Sequence, residues 1–157
     1  MSSTAARVHV LRSDILGPGG LASTTTMPLF AYGTLQILEV VRTLIGRVPH
    51  TRPGELDDWI CAPLPFRPYP GLVPRPGIRT VGLTFTDLTP TEWMRLDRFE
   101  DPDYSLELVT LNDGTEAWVY AWQLEVSPGT WNCREFIVRH LAEYLERCRD
   151  WLSRDGD

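Results

Sequence analysis

The chain contains no lysine: all 15 of its basic residues are arginine, which we read as coding bias and not as function. Cysteine is scarce. Cys61, Cys133 and Cys148 are odd in number and widely spaced, with no CxxC pair. That pattern suits a reducing cytoplasm better than a disulfide framework. No run approaches the ~18 apolar residues that a spanning helix needs, so no membrane partner is expected. The N-terminus lacks the compact apolar segment and small-residue cleavage site of a secretory leader, and a cytoplasmic location is expected. A basic surplus is also missing: the formal charge is −6 and the pI near 5.0, which argues against nucleic acid as the main partner.

Chemistry-bearing motifs are equally sparse. His9, His50 and His140 lie far apart, without HxH, HExxH or Cys/His spacing, so no metal site is expected. Cys133 and His140 would stand about 10 Å apart along a helix axis, beyond the reach of a nucleophile–base pair. There is no GxSxG elbow, Walker loop or GxGxxG, and Gly17-Pro18-Gly19-Gly20 precedes no helix. The expectation is a protein without covalent nucleophile, metal or cofactor. Such a site suits a reaction whose nucleophile is part of the substrate. It then needs only a fixed substrate conformation, a base, and a cradle for a carboxylate or oxyanion.

What is present argues for one folded domain. With 157 residues, a 43% hydrophobic fraction and six tryptophans, the chain can bury about two-thirds of its unfolded surface. Residues 1–26 read as a flexible N-terminal extension, linker-like at 13–20 and 23–26, with Val8–Leu11 as a possible extra edge strand. The folded unit is expected over 27–157.

An apolar strand (Leu29, Phe30, Ala31) should lead into Tyr32-Gly33-Thr34 and then a helix over Gln36–Ile45 that stops at Gly46. Leu38, Val41, Leu44 and Ile45 would form its buried face. The prolines between Pro49 and Gly77 exclude a helix and confine strands there to short or edge pieces. Arg79–Thr86 alternates as a strand, with Val81, Leu83 and Phe85 on one face. Thr89-Pro90-Thr91-Glu92 is a capping box opening a short helix over about Pro90–Arg98. Leu106–Leu111 and Glu116–Leu124 flank Asn112-Asp113-Gly114 as a hairpin. A last helix, roughly Cys133–Trp151, carries an apolar stripe of Ile137, Leu141, Tyr144, Leu145, Cys148 and Leu152. Glu135/Arg139 and Glu143/Arg147 would be i,i+4 pairs on its wet side. The sum is an α+β domain, with a small, mainly antiparallel barrel or curled sheet.

Two places carry candidate chemistry. Gly33, at the strand-to-helix junction, permits a tight turn and close approach of another molecule. Thr34 is the expected N-cap, and the unpaired amides that follow make an anion-receiving loop. Glu100 follows Trp93 and Leu96 at spacings of 3 and 4, which puts a carboxyl at the C-terminal end of a buried helical face. Desolvation and the helix dipole there would favour the protonated form and suit proton shuttling. The alternative is that the helix has ended and Glu100 lies in a solvated loop with Asp97, Asp101 and Asp103.

Phe30-Ala31-Tyr32-Gly33-Thr34-Leu35, Tyr69-Pro70-Gly71-Leu72-Val73-Pro74, Val81-Gly82, Leu96-Asp97-Arg98-Phe99-Glu100 and Ala117-Trp118-Val119-Tyr120 occur in that order. Together, over roughly residues 28–125, they resemble the gamma-glutamylcyclotransferase-like family. The resemblance implies a six- or seven-stranded β-barrel with flanking helices. It implies cleavage of gamma-glutamyl amides by cyclisation to 5-oxoproline and a free amine, with a small gamma-glutamyl conjugate as partner. Carried over, Glu100 is the catalytic acid/base, Tyr32, Gly33, Thr34 and Leu35 grip the glutamyl group, and Tyr120 is a pocket tyrosine. The chain departs from the family's frequent pattern at Asp101 after the Glu, at Leu106 in place of an arginine, and at Gln36 in place of a basic residue. A non-catalytic module that binds a small metabolite on the same barrel, or an amide hydrolase of that fold, are the alternative functions.

Overall fold

The computed structural model describes residues 27–155. The extension over 1–26, with its possible strand at Val8–Leu11, lies outside the described residues. Strand β1 (Leu29–Ala31) runs into a 3-10 turn (Thr34–Gln36) and helix α1 (Leu38–Ile45). Two long strands follow, β2 (Thr51–Leu64) and β3 (Arg67–Phe85), then helix α2 (Pro90–Phe99). Strands β4 (Tyr104–Thr110) and β5 (Glu116–Trp122) form the expected hairpin, and α3 (Cys133–Arg139) and α4 (Leu141–Asp155) close the chain.

The five strands are ordered β2-β3-β1-β5-β4. β1 is antiparallel to β3 and parallel to β5, and β3 touches β5 directly at Leu72↔Ala121. The class is α+β with a mainly antiparallel sheet, as expected. In detail, the sheet is not closed into a barrel: β2 and β4 are its two end strands. Alternation along β1 splits the core. Leu29 and Ala31 pack with α1, α2, α3 and α4 through Val41, Trp93, Phe136 and Tyr144, whereas Phe30 packs with Leu56, Leu72 and Val119.

The proline-rich region meets one half of the expectation and corrects the other: β2 is an edge strand, but β3 is not, and the two are the longest strands among the described residues. β2 holds Pro53 and Pro63, and β3 holds Pro68, Pro70, Pro74 and Pro76. Pro63 stands opposite Pro70, and Trp59 opposite Pro74, in one continuous antiparallel register. Two prolines facing each other can exchange no amide bond, so these are the non-hydrogen-bonded pairs of the ladder, where no N–H is needed. The register breaks between Asp57 and Trp59, where Asp58 takes φ 69° and its side chain accepts from the Gly77 amide at 2.9 Å.

Smaller differences have local causes. α1 ends as expected at Gly46, whose φ of 85° is the left-handed conformation that glycine adopts freely. Its buried residues are Val40, Val41 and Leu44, while Leu38 is exposed. Val81 is exposed too, and only Phe85 of its expected face is fully buried. α2 has the full capping box: the Thr89 hydroxyl accepts from the Glu92 amide and the Glu92 carboxylate accepts from the Thr89 amide. The last helix is broken at His140 (φ −129°), so Phe136, not Ile137, is the buried residue of its first segment. Among the described residues, neither Glu135/Arg139 nor Glu143/Arg147 forms an ion pair.

Candidate active site

A cavity of about 230 Å³ opens where the β1–α1 junction, the end of α2 and one face of α4 meet. Tyr32, Gly33, Thr34, Leu35, Glu100 and Tyr120 all line it.

The junction is shaped by a close approach. A Cβ on Gly33 would stand 2.8 Å from Pro70 Cγ and 3.2 Å from Pro70 Cδ, so only glycine lets the loop pass β3 there. Thr34 is not an N-cap. It opens the 3-10 turn, which has no side-chain cap, and its hydroxyl shares a 3.3 Å hydrogen bond with the Tyr144 hydroxyl of α4. α1 begins four residues later, capped by the backbone of Ile37. Within the turn the Gln36 amide donates to the Gly33 carbonyl at 3.1 Å. The amides at the start of such a turn have no intrahelical acceptor, which keeps the anion-receiving character expected of the loop. The Gln36 side chain folds back to donate to the Tyr32 carbonyl at 2.6 Å.

Glu100 combines both expectations. Trp93 and Leu96 are fully buried on one face of α2, and the Glu100 amide still donates to the Leu96 carbonyl at 3.0 Å. The helix nonetheless ends at Phe99, and Glu100 is its C-cap with extended backbone. Glu100 is half-buried and lines the cavity.

Phenols surround this carboxyl. Burial pushes the Tyr32 hydroxyl well above its ordinary pKa, followed by the charges of Cys61 and Glu100. Tyr104 is raised by burial, then by Tyr32 and Glu100, and Tyr144 by burial and Glu100. All three stay protonated at neutral pH and remain donors. Tyr32 donates to the Tyr120 carbonyl at 2.6 Å, and the Tyr120 hydroxyl donates to Asp97 at 3.1 Å, one turn before Glu100. Tyr104 donates to the Pro70 carbonyl. Asp101, next to Glu100, points at a different group: it accepts from the Tyr69 hydroxyl at 2.6 Å and faces Arg67 at 3.5 Å. Among the described residues no cluster of three His, Cys, Asp or Glu is placed to hold a metal ion.

Residues 29–135 match the family model of gamma-glutamyl cyclotransferase, AIG2-like. The chain belongs to this family. AIG2-like protein D of Arabidopsis thaliana is 30% identical over 143 residues, which span 85% of this chain and 94% of that protein. AIG2-like protein C of the same plant is 32% identical over 141 residues, 85% of this chain and 82% of that one. A solution structure of an Arabidopsis thaliana protein superposes with a TM-score of 0.60 at 22% identity, covering 87% of this chain and 97% of the other. A human crystal structure superposes at 0.54 with 16% identity, over 78% and 86%. At these identities the two structures bear on the fold alone. Family membership supports a gamma-glutamyl-cyclotransferase-like function in the broad sense.

All six residues named from the family resemblance therefore line one cavity of this gamma-glutamyl-cyclotransferase-like chain. Others that line it were not assigned a role from sequence: Tyr69, Tyr104, Tyr144 and Arg147. Tyr69 lay inside a stretch already compared with the family, and Tyr104 stands two residues before the departure at Leu106. Tyr144 had the signal of core stripe, and Arg147 that of a solvated i,i+4 partner, so nothing local distinguished them.

Proposed function

We propose that the protein is a gamma-glutamyl amide cyclotransferase, releasing 5-oxoproline and a free amine from a small gamma-glutamyl conjugate. The substrate's alpha-amine attacks its own gamma-carbonyl carbon, a C–N bond closes the five-membered ring, and the original amide C–N bond breaks. Glu100, as carboxylate, takes a proton from the attacking amine and, as acid, returns it to the leaving nitrogen. One carboxyl thus balances both proton transfers. Holding the glutamyl chain folded converts the attack into an intramolecular one, with effective molarities of order 10⁵ M or more in favourable cases. The amides of the Gly33–Leu35 turn would bind the alpha-carboxylate or the developing oxyanion, with Tyr32 and Tyr120 forming the wall.

The observation that carries this reading is that Glu100 and the Tyr32–Leu35 turn line the same cavity, although they are far apart in the chain. The test is 5-oxoproline release from a panel of gamma-glutamyl amides. Release from at least one member supports the reading. Glutamate in place of 5-oxoproline would make the protein a hydrolase, and binding without turnover would make it a binding module; either overturns cyclisation.

A further inference from the structure

The cavity contains an arginine that the cyclisation scheme does not use. Arg147 projects from α4 toward the opening, with its guanidinium carbon 5.5 Å from the Tyr69 ring centroid and 5.9 Å from that of Tyr144. Its sequence partner Glu143 does not pair with it, and among the described residues no carboxylate lies within ion-pair distance of it. Asp101 lines the same cavity, but its oxygens are taken up by the Tyr69 hydroxyl at 2.6 Å, the Asp103 amide at 2.8 Å and Arg67 at 3.5 Å. Two tyrosines thus flank a cation at the mouth that no carboxylate of the described residues contacts within ion-pair distance. A guanidinium held in this way is pre-organised for a carboxylate.

Depth says which carboxylate. Tyr32, Thr34 and Leu35 are buried at the inner end of the cavity, whereas Arg147 is exposed at its rim. In the cyclisation scheme the glutamyl group sits inside, against the turn, and the amine half points out along its exit. We propose that Arg147 binds an anionic group on the departing amine half, so that the preferred substrates are gamma-glutamyl amino acids or peptides over gamma-glutamyl alkylamines. This rests on the cyclotransferase reading.

The test uses a matched pair, gamma-glutamyl-L-alanine and gamma-glutamylethylamide, which differ only by the carboxylate of the amine half. The wild-type protein should favour the alanine conjugate in kcat/KM on the order of tenfold or more, the size of one charge-assisted hydrogen bond. Arg147→Gln should bring that ratio toward one, and Arg147→Lys should restore part of it. A ratio insensitive to both variants, or no wild-type preference, overturns the proposal; a ratio is unaffected by general loss of folded protein. If neither compound is turned over, calorimetric binding of both to the wild type and to Arg147→Gln gives the same ratio. Selective binding keeps the Arg147 site and leaves cyclisation to be decided by the panel of gamma-glutamyl amides, while absent or unselective binding removes the Arg147 site.

Discussion

The Tyr32 hydroxyl donates to the Tyr120 carbonyl oxygen at 2.6 Å, joining residues 88 positions apart. That bond ties the glycine turn to β5, and the Tyr120 hydroxyl carries the link on to Asp97 in α2. The turn and the helix that ends at Glu100 are thereby held in one frame. Removing the donor should loosen both stability and site geometry. Tyr32→Phe is expected to cost about 1–3 kcal/mol, because a buried carbonyl loses its partner. Urea unfolding measures the stability loss, and kcat/KM should fall in parallel.

Glu100→Gln keeps the shape of the side chain but cannot accept and return a proton. Turnover should fall by about 10²–10⁴-fold while substrate affinity stays within a few-fold. Single-turnover assays with calorimetric binding separate the two, and a variant with wild-type turnover would refute the role of Glu100.

Gly33→Ala places a Cβ 2.8 Å from a ring carbon of Pro70, inside any tolerated contact. The turn must move away from β3, and displacement of a positioning element by about 1 Å can cost on the order of 10²-fold in rate. The stability cost of such overpacking is about 1–3 kcal/mol. Gly114→Ala is the control: nothing crowds a Cβ there, and only its φ of 91° is unfavourable. It should lose some stability and leave kcat unchanged.

Glu92 predicts an acid dependence of stability. The Arg47 guanidinium grips its carboxylate with two bonds of 2.6 Å, and the Thr89 amide adds a third at 3.0 Å. The Arg47 bonds first, and the Thr89 amide with them, hold its pKa below the ordinary 4.5 against the opposing effect of burial. A lowered folded pKa means the contribution is fully present above pH 4.5 and is lost as pH falls through the folded value. Glu92→Gln should therefore cost about 1 kcal/mol at pH 7 and flatten the acid limb of a pH–stability curve.

The features legible in the sequence are those whose causes act within a few residues. The capping box at Thr89 and Glu92, the Gly46 stop and the Gly114 turn each follow from local sterics or one short hydrogen bond, and all three formed as expected. The Tyr32–Leu35 turn and Glu100 could be singled out as candidates, since each is a short pattern with its own chemistry. Over 49–77 proline counting rightly excluded a helix and placed β2 at an edge, but it misled about strand length and about β3, because a missing amide matters only where the partner strand needs it. Thr34 was misassigned as a cap because Tyr144, 110 positions later, takes its hydroxyl.

The amino-acid order alone determined the class of the fold and the glycine turn, and it singled out Glu100 as the candidate acid. Tertiary structure decided that the turn and the acid share one cavity, that phenols from β3, β4 and α4 enclose it, and that Arg147 leaves its helix neighbour for two aromatic rings. Capping and turn rules operate over three or four residues, so they can be read along the chain. Which side chains face one another across a cavity depends on how a sheet and four helices close around a core, and no local pattern encodes that.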